Sequence, residues 1–403
     1  MSKEIKYILF TFISCTVVVY FYSVYSGYYS NRAFFQVTPV GLSSWRLFLT
    51  LLYSILPFAV LYVLYKWTKR TTSTRKTSIP IKLFGWFLLL LIGFQIITSV
   101  IFGVGVVQTN YEASGFMKLL IQITYRINPV FGVFIYGSLV GSKNKTQFVL
   151  WVMVIALFLF RHYLGGLVFF GFYLVFKYHA EIIYFIKKRW HISAVILLLM
   201  PICVSTLYGI REQLRDKNQT TEFSIHTKSF LETICVSLAG RMSSFNELGF
   251  MQEREVEVQQ LARKHCSTYQ YTKEALIPFY GRIIPQLEKK MTYSDILPVV
   301  HAGEGIFKKS AGHNGPVGVL LIGSYLSFGT ACVNLLTMLL IVVVTFLLSN
   351  FIRHEKIKEI LFLFFCFAAM SGVAQEFGGI LLSTILYFTI FLFLNMFCKK
   401  KMA

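Results

Sequence analysis

Residues 315–350 read GPVGVLLIGSYLSFGTACVNLLTMLLIVVVTFLLSN, 36 positions without a single Asp, Glu, Lys or Arg. One straight helix of that length would reach about 54 Å at about 1.5 Å per residue, well beyond a bilayer core of about 30 Å. Gly323 and Gly329 offer break points, which predicts a short surface or re-entrant piece followed by one span. Working outward, further apolar runs occupy about 7–23, 47–65, 83–104, 119–140, 148–177, 192–209, 359–374 and 380–397. Residues 148–177 are interrupted at Arg161–His162 and read as a tight hairpin. The sum is an all-α polytopic bundle of about ten transmembrane helices. Composition agrees, with 56% apolar residues, 14% charged residues and a mean hydropathy of +0.62 over 403 residues. A soluble protein cannot bury so much apolar surface and keep a wettable exterior with so few charges. A soluble enzyme, a secreted disulfide scaffold and a DNA-binding domain are excluded on that ground.

The net charge of +21 looks like a nucleic-acid signal until it is located along the chain. The polar segment 210–315 holds twelve of the 18 acids and fourteen of the 39 bases, so it is nearly neutral. Most of the other bases cluster in short tails and loops: Lys3 and Lys6, the acid-free KWTKRTTSTRKTSIPIK at 66–82, GSKNK at 141–145, Lys187–Arg189, Arg353–Lys358 and Lys399–Lys401. The positive-inside tendency puts those clusters and both termini in the cytoplasm, so the basicity reports topology and implies no nucleic-acid partner. The first apolar run lacks a small-residue cleavage site and reads as a retained helix. Three regions follow: residues 1–209 with about seven spans, a large external loop at 210–315, and residues 316–403 with about three spans. Inside the loop, Phe230, Ile234, Leu238, Met242 and Phe245 recur at helical spacing. That stripe predicts an amphipathic helix and a folded loop lying against the membrane surface. No internal repeat of the kind found in many transporters is visible.

Several residues are candidates for chemistry. Arg126 lies inside the fourth apolar run, where a charge faces a protein interior or a water-filled cavity unless it snorkels to the interface. Arg211 and Arg215 follow the seventh span four residues apart; on a continuing helix they share a face that would clamp a phosphate, the rival role being headgroup anchoring. Arg241 falls on the apolar stripe and needs an anionic partner, either Glu247, another acid of the loop, or a ligand. His301, Glu304 and His313 lie on a Gly-rich stretch where the loop re-enters the membrane, and each is a candidate general base. Glu376, in the turn between the last two spans, is a further candidate base or Arg partner. Cys235 and Cys266 are the loop's two cysteines, and a disulfide between them suits an oxidising compartment. With no HExxH, no paired Cys and no acid in residues 24–45, no metal site and no cofactor is expected.

About ten spans, a large loop before the last few, external Arg residues and a His at the loop's exit resemble the Wzy-type O-antigen polymerases, relatives of the WaaL-type O-antigen ligases. The likeness covers essentially the whole chain by architecture. Ligases of this group show a His-Asn pair followed by an apolar stretch with glycines; here His313–Asn314 precedes GPVGVLLIGSYLSFG, whose glycine spacing departs from that pattern and favours the polymerase. Arg211, Arg215 and Arg241 match the Arg-rich external loops described for polymerases, and with Arg126 they are the residues expected to bind the substrate pyrophosphate. The resemblance implies a metal-independent glycosyltransferase in the bacterial inner membrane, joining undecaprenyl-pyrophosphate-linked repeat units on the periplasmic face during lipopolysaccharide synthesis. Its implied partners are the lipid-linked oligosaccharide, the bilayer, and a chain-length regulator and flippase of the same pathway. An O-antigen ligase, a lipid-linked oligosaccharide flippase and a non-catalytic scaffold are the competing readings; the long loop counts against the flippase.

Overall fold

The computed structural model describes residues 3–30, 37–70, 79–105, 115–141, 144–161, 164–196, 198–199, 239–280, 291–302, 314–352 and 354–400. In chain order the elements begin with α1 (Lys3–Ser26), a two-stranded antiparallel ribbon of β1 (Tyr28–Ser30) and β2 (Val37–Pro39), α2 (Ser44–Arg70) and α3 (Ile81–Phe102). Five shorter helices follow: α4 (Gly115–Thr124), α5 (Pro129–Leu139), α6 (Lys145–Phe160), α7 (Leu164–Lys177) and α8 (His179–Lys188). The described part of the large loop carries a 3₁₀ turn (Ala239–Met242), then α9 (Phe245–Glu253), α10 (Glu255–His265), α11 (Gln270–Tyr280) and α12 (Tyr293–Ala302). The chain closes with α13 (Gly315–Leu326), α14 (Phe328–Ser349), α15 (Glu355–Ser371) and α16 (Ala374–Lys400).

The protein is a polytopic helical membrane protein. Among the described residues α1, α2, α3, α14 and α16 are long and apolar enough to cross a bilayer, and the number rises to seven if two bent helix pairs each count as one span. These helices turn large apolar side chains outward, with Phe10 70%, Leu90 73% and Leu340 66% exposed, a pattern that lipid tolerates and water does not.

The fourth apolar run is not a continuous helix. It breaks between α4 and α5, which meet at 45°. Asn128 caps α5 by accepting from the Val130 and Phe131 amides at 3.0 and 3.3 Å, and Pro129 occupies the first turn. Proline lacks an amide hydrogen and drives the residue before it out of the helical region, so the break is encoded locally. The expected hairpin at Arg161 is present as α6 and α7, and α8 turns 78° from the end of α7. The 36-residue apolar run splits into α13 and α14 at Ser327, between the two predicted glycines, with the Ser327 hydroxyl capping the Thr330 amide at 3.0 Å. The predicted stripe 230–245 is only partly described: residues 230–238 lie outside the described residues, and a fresh helix starts at Phe245 after the 3₁₀ turn.

Two compact units divide the chain. The first comprises residues 1–74, 231–351 and 361–384. In it α1 and α2 form an antiparallel hairpin whose connecting ribbon is tied to the loop: Glu253 Oε1 accepts from the Tyr29 hydroxyl at 2.8 Å, the Leu42 amide at 2.9 Å and the Gly41 amide. Helix α9 is buried along most of its length and packs on α1, α2 and α13, so this part of the loop is core. The second unit comprises residues 75–230, 352–360 and 385–403. There α3 and α6 run parallel, since Ser99 and Arg161 meet at their ends, whereas α5 runs against α3, with Tyr136 at its end beside Phe84 near the start of α3. The Tyr387 hydroxyl donates to the Asn128 carbonyl at 2.8 Å, and Phe391 packs on Phe84, which sets the end of α16 parallel to α5.

Candidate functional site

Helix α11 is short and polar in sequence, yet one of its faces is buried. Gln270, Tyr271, Glu274 and Ala275 follow helical spacing and are 6%, 0%, 7% and 1% exposed. In the first unit α11 meets the start of α16, the turn after α15 and the middle of α14. A Cβ at Gly378 of α16 would overlap the Ala275 carbonyl, so only glycine admits so close an approach. The Tyr271 hydroxyl donates to the Gly372 carbonyl at 3.2 Å, and the Thr272 and Thr337 hydroxyls lie 2.8 Å apart. Gly372 and Gly315, both with positive φ, lie back to back, and a Cβ on Gly372 would come within 2.6 Å of the Gly315 backbone.

Around this contact gather three carboxylates, two tyrosines and three amides. Gln270 Nε2 donates to Glu274 Oε1 at 2.9 Å and to the Met291 carbonyl. Asp295, on α12, accepts from the Thr292 amide at 2.7 Å and its hydroxyl at 2.6 Å. Asn314 precedes α13 without a side-chain capping bond and donates to the Tyr293 carbonyl at 2.6 Å, while Asn334 Nδ2 lies 3.5 Å from the Tyr293 hydroxyl. The Oδ1 atoms of Asn314 and Asn334 are buried and have no hydrogen-bond partner among the described residues. Glu376, in the first turn of α16, is exposed and accepts from the Ser371 hydroxyl.

The electrostatics follow from burial. Desolvation pushes the Glu274 carboxyl up from its ordinary 4.5 to about 8; the charge of Asp295 adds to this, and hydrogen bonds from Gln270 and the Tyr293 backbone oppose it. Burial likewise raises Tyr271 far above the usual phenol range, with further contributions from Glu274, Glu376 and Tyr293, so each of these lies within electrostatic reach of Tyr271. Tyr293 is pushed up to about 12 by burial first. A carboxyl group that titrates near neutrality can both hold and release a proton, as acid–base catalysis requires.

The residues singled out in the sequence stand differently. Arg211, Arg215, Glu304 and His313 lie outside the described residues, as do the side chains of His301 and Arg241; the backbone of His301 is in the last turn of α12 and that of Arg241 in the 3₁₀ turn. Arg126 sits half-buried in the turn between α4 and α5, in the second unit, rather than inside a continuous span. Glu376 belongs to the site and heads a helix instead of lying in a loose turn. Cys235 lies outside the described residues; Cys266 is a free thiol, pushed up to about 12 by burial and then by Glu274 and Asp295. Among the described residues no three His, Cys, Asp or Glu side chains are grouped to hold a metal ion. Glu274, Asp295, Tyr271, Tyr293 and Asn334 were not singled out in the sequence. The available signal was the spacing Gln270–Glu274 beside Tyr271–Ala275, a mixed face that reads equally as solvated loop helix. No family model, no curated protein and no solved structure matches this chain.

Proposed function

We propose that this chain is a Wzy-type O-antigen polymerase of the bacterial inner membrane, with about ten spans, both termini cytoplasmic and residues 210–315 in the periplasm. The observation that carries the reading is Glu376: an exposed carboxylate at the head of a membrane helix, beside the buried Glu274–Tyr271 pair, where the large loop packs onto that helix. In the reaction, the acceptor sugar's hydroxyl oxygen bonds to the anomeric carbon of the undecaprenyl-pyrophosphate-linked glycan as the bond from that carbon to the pyrophosphate oxygen breaks. The electron pair leaves with the pyrophosphate, and the hydroxyl proton passes to Glu376. Glu274 is a positioning residue that sets the charge around Tyr271 and Glu376. Arg211, Arg215 and Arg241 offset the charge developing on the leaving group. A flippase and a chain-length regulator are the expected pathway partners.

The test is deletion of the gene in its host, complementation, and a gel of the lipopolysaccharide. Loss of the ladder to core plus one repeat, restored by the wild-type gene and not by a stably produced Glu376→Gln protein, supports both the polymerase and the base. A ladder restored by Glu376→Gln removes Glu376 from the mechanism and leaves the reaction class intact. An unchanged ladder on deletion rules out the polymerase for this glycan, and loss of every repeat from the core transfers the chain to the ligase or flippase class.

A further inference from the structure

Helix α8 turns aside from α7, and none of its ten residues is buried. A single residue makes the turn: Tyr178, at φ −108° and ψ 21°, stands between two helices whose directions differ by 78°. Backbone bonds still run through it, from its own amide to the Leu174 carbonyl at 2.9 Å and from the Ile182 amide to its carbonyl at 2.8 Å. Side chains pin the bend as well. The Lys177 ammonium donates to the Gly137 carbonyl at the end of α5. It also stands 5.3 Å over the Trp151 ring and 5.4 Å over the Tyr178 ring, and those two rings meet edge to face at 5.7 Å. The bend thus has an identifiable cause and holds α8 in a set direction.

Spacing sorts α8 into two sides. Ile182, Ile183 and Ile186 share one side, while Glu181 and Lys188 lie opposite. Lys188 Nζ donates to the Tyr184 hydroxyl at 3.4 Å and stands 5.5 Å over its ring, which keeps the ammonium on the polar side. The apolar side is bare: Ile183 and Ile186 are 36% and 47% exposed, and Phe185 beside them is 40% exposed. Three consecutive bases, Lys187, Lys188 and Arg189, close the helix, whose one acid is Glu181 at its other end. Ten residues extend about 15 Å, so at 78° to α7 they advance only about 3 Å along it. Helix α8 therefore adds almost nothing to the depth that α7 crosses.

We propose that α8 is an interfacial anchor that docks on an anionic lipid surface. It lies in the membrane plane with Ile182, Ile183 and Ile186 at the boundary between headgroups and acyl chains, and the Lys187–Arg189 edge faces the charged leaflet. An amphipathic helix of modest overall hydrophobicity with a basic edge binds in this way, through buried apolar area and attraction to surface charge together. The leaflet is the cytoplasmic one, where the positive-inside tendency puts the same cluster. The anchor rests on the second unit alone and stands whether or not the chain joins glycans.

The test uses the full-length protein in liposomes of phosphatidylcholine mixed with phosphatidylglycerol. A photoreactive phenylalanine analogue replaces Phe185, and the adducts formed on illumination are weighed by mass spectrometry. Lipid adducts enriched about twofold or more in phosphatidylglycerol over its share of the bilayer support the anchor, and the enrichment should fall to that share when Lys187, Lys188 and Arg189 are all changed to Gln. Adducts that follow bilayer composition in the wild-type protein overturn the anionic preference. A cross-link to a second copy, or no adduct at all, overturns the lipid occupant. Orientation is read separately from nitroxide labels at Ile182→Cys and Ile186→Cys in a background without the native cysteines. Equal depths below the phosphates are expected, whereas a helix that continues the span separates the two labels by about 6 Å and sinks the interfacial placement.

Discussion

A single carboxyl group, Glu274, connects sequence, burial and pH. Folding removes it from water before it finds a full partner, so its neutral form is the one the fold accepts. Because its folded value of about 8 lies above its ordinary 4.5, its favourable contribution is complete below pH 4.5 and is lost as pH rises through 8. Asp295, Cys266, Tyr271 and Tyr293 lie within electrostatic reach of Glu274, and none supplies a positive charge. Glu274→Gln keeps an acceptor for Gln270 and cannot ionise. We therefore expect it to match wild type in thermal unfolding at pH 5 and to exceed it at pH 8.5, by an amount on the order of a few kcal/mol given about 1.4 kcal/mol per unit of pKa. Equal melting at pH 8.5 would remove the buried, strained carboxyl from the account. Glu253 is the opposite case, with three donors converging on one oxygen. Glu253→Ala leaves the Tyr29 hydroxyl and two amides of the 27–42 connection without that acceptor, and should cost about 1–3 kcal/mol in chemical unfolding. A change of a few tenths would mean that water replaces the carboxylate.

Among the elements, the tightest statement concerns α11 against α16. Gly378 and Gly379 are adjacent in one helix, yet the Ala275 carbonyl fills the space beside the first and nothing stands within 4 Å of the second. A backbone oxygen cannot rotate away, so Gly378→Ala should destabilise by about 3 kcal/mol or more and disturb the Tyr271–Glu376 neighbourhood. Gly379→Ala should be neutral or gain up to about 1 kcal/mol from helix propensity. Equal effects at the two positions would refute the packing of α11. Sequence reading fared best where local chemistry decides the element. The run 315–350 had to break, and it does so at Ser327, because a Ser hydroxyl three residues before Thr330 makes a better cap than either flanking glycine. The break before α5 was equally encoded in Asn128–Pro129, but the apolar run of 119–140 masked it. The acidic site was hidden for a different reason. Gln270 and Glu274 are buried only because α14, α15 and α16 return from far along the chain, and no local pattern records such a contact.

At the level of the whole molecule, charge placement decides which side of the bilayer each connection occupies. Twenty-five of the 39 bases lie outside residues 210–315, nineteen of them in the basic tails and connections, and the helix directions inside the second unit alternate: α3 and α6 run one way, α5 and the end of α16 the other. A membrane potential and anionic lipid hold such basic connections on the cytoplasmic side. Single cysteines in a background without the native ones make this measurable with a membrane-impermeant maleimide. Ser73→Cys and Ser142→Cys, in the two acid-free basic connections, should stay unlabelled in intact spheroplasts and react after lysis. Thr268→Cys, on the exposed side of the loop between α10 and α11, should react in intact spheroplasts. The outcome bears directly on the proposed chemistry, because that reaction needs Glu376 on the same side of the membrane as the exported lipid-linked units, the side that Thr268 reports. If Ser73 is labelled from outside and Thr268 only after lysis, the site faces the cytoplasm, and a periplasmic polymerisation of exported repeat units has no place to occur.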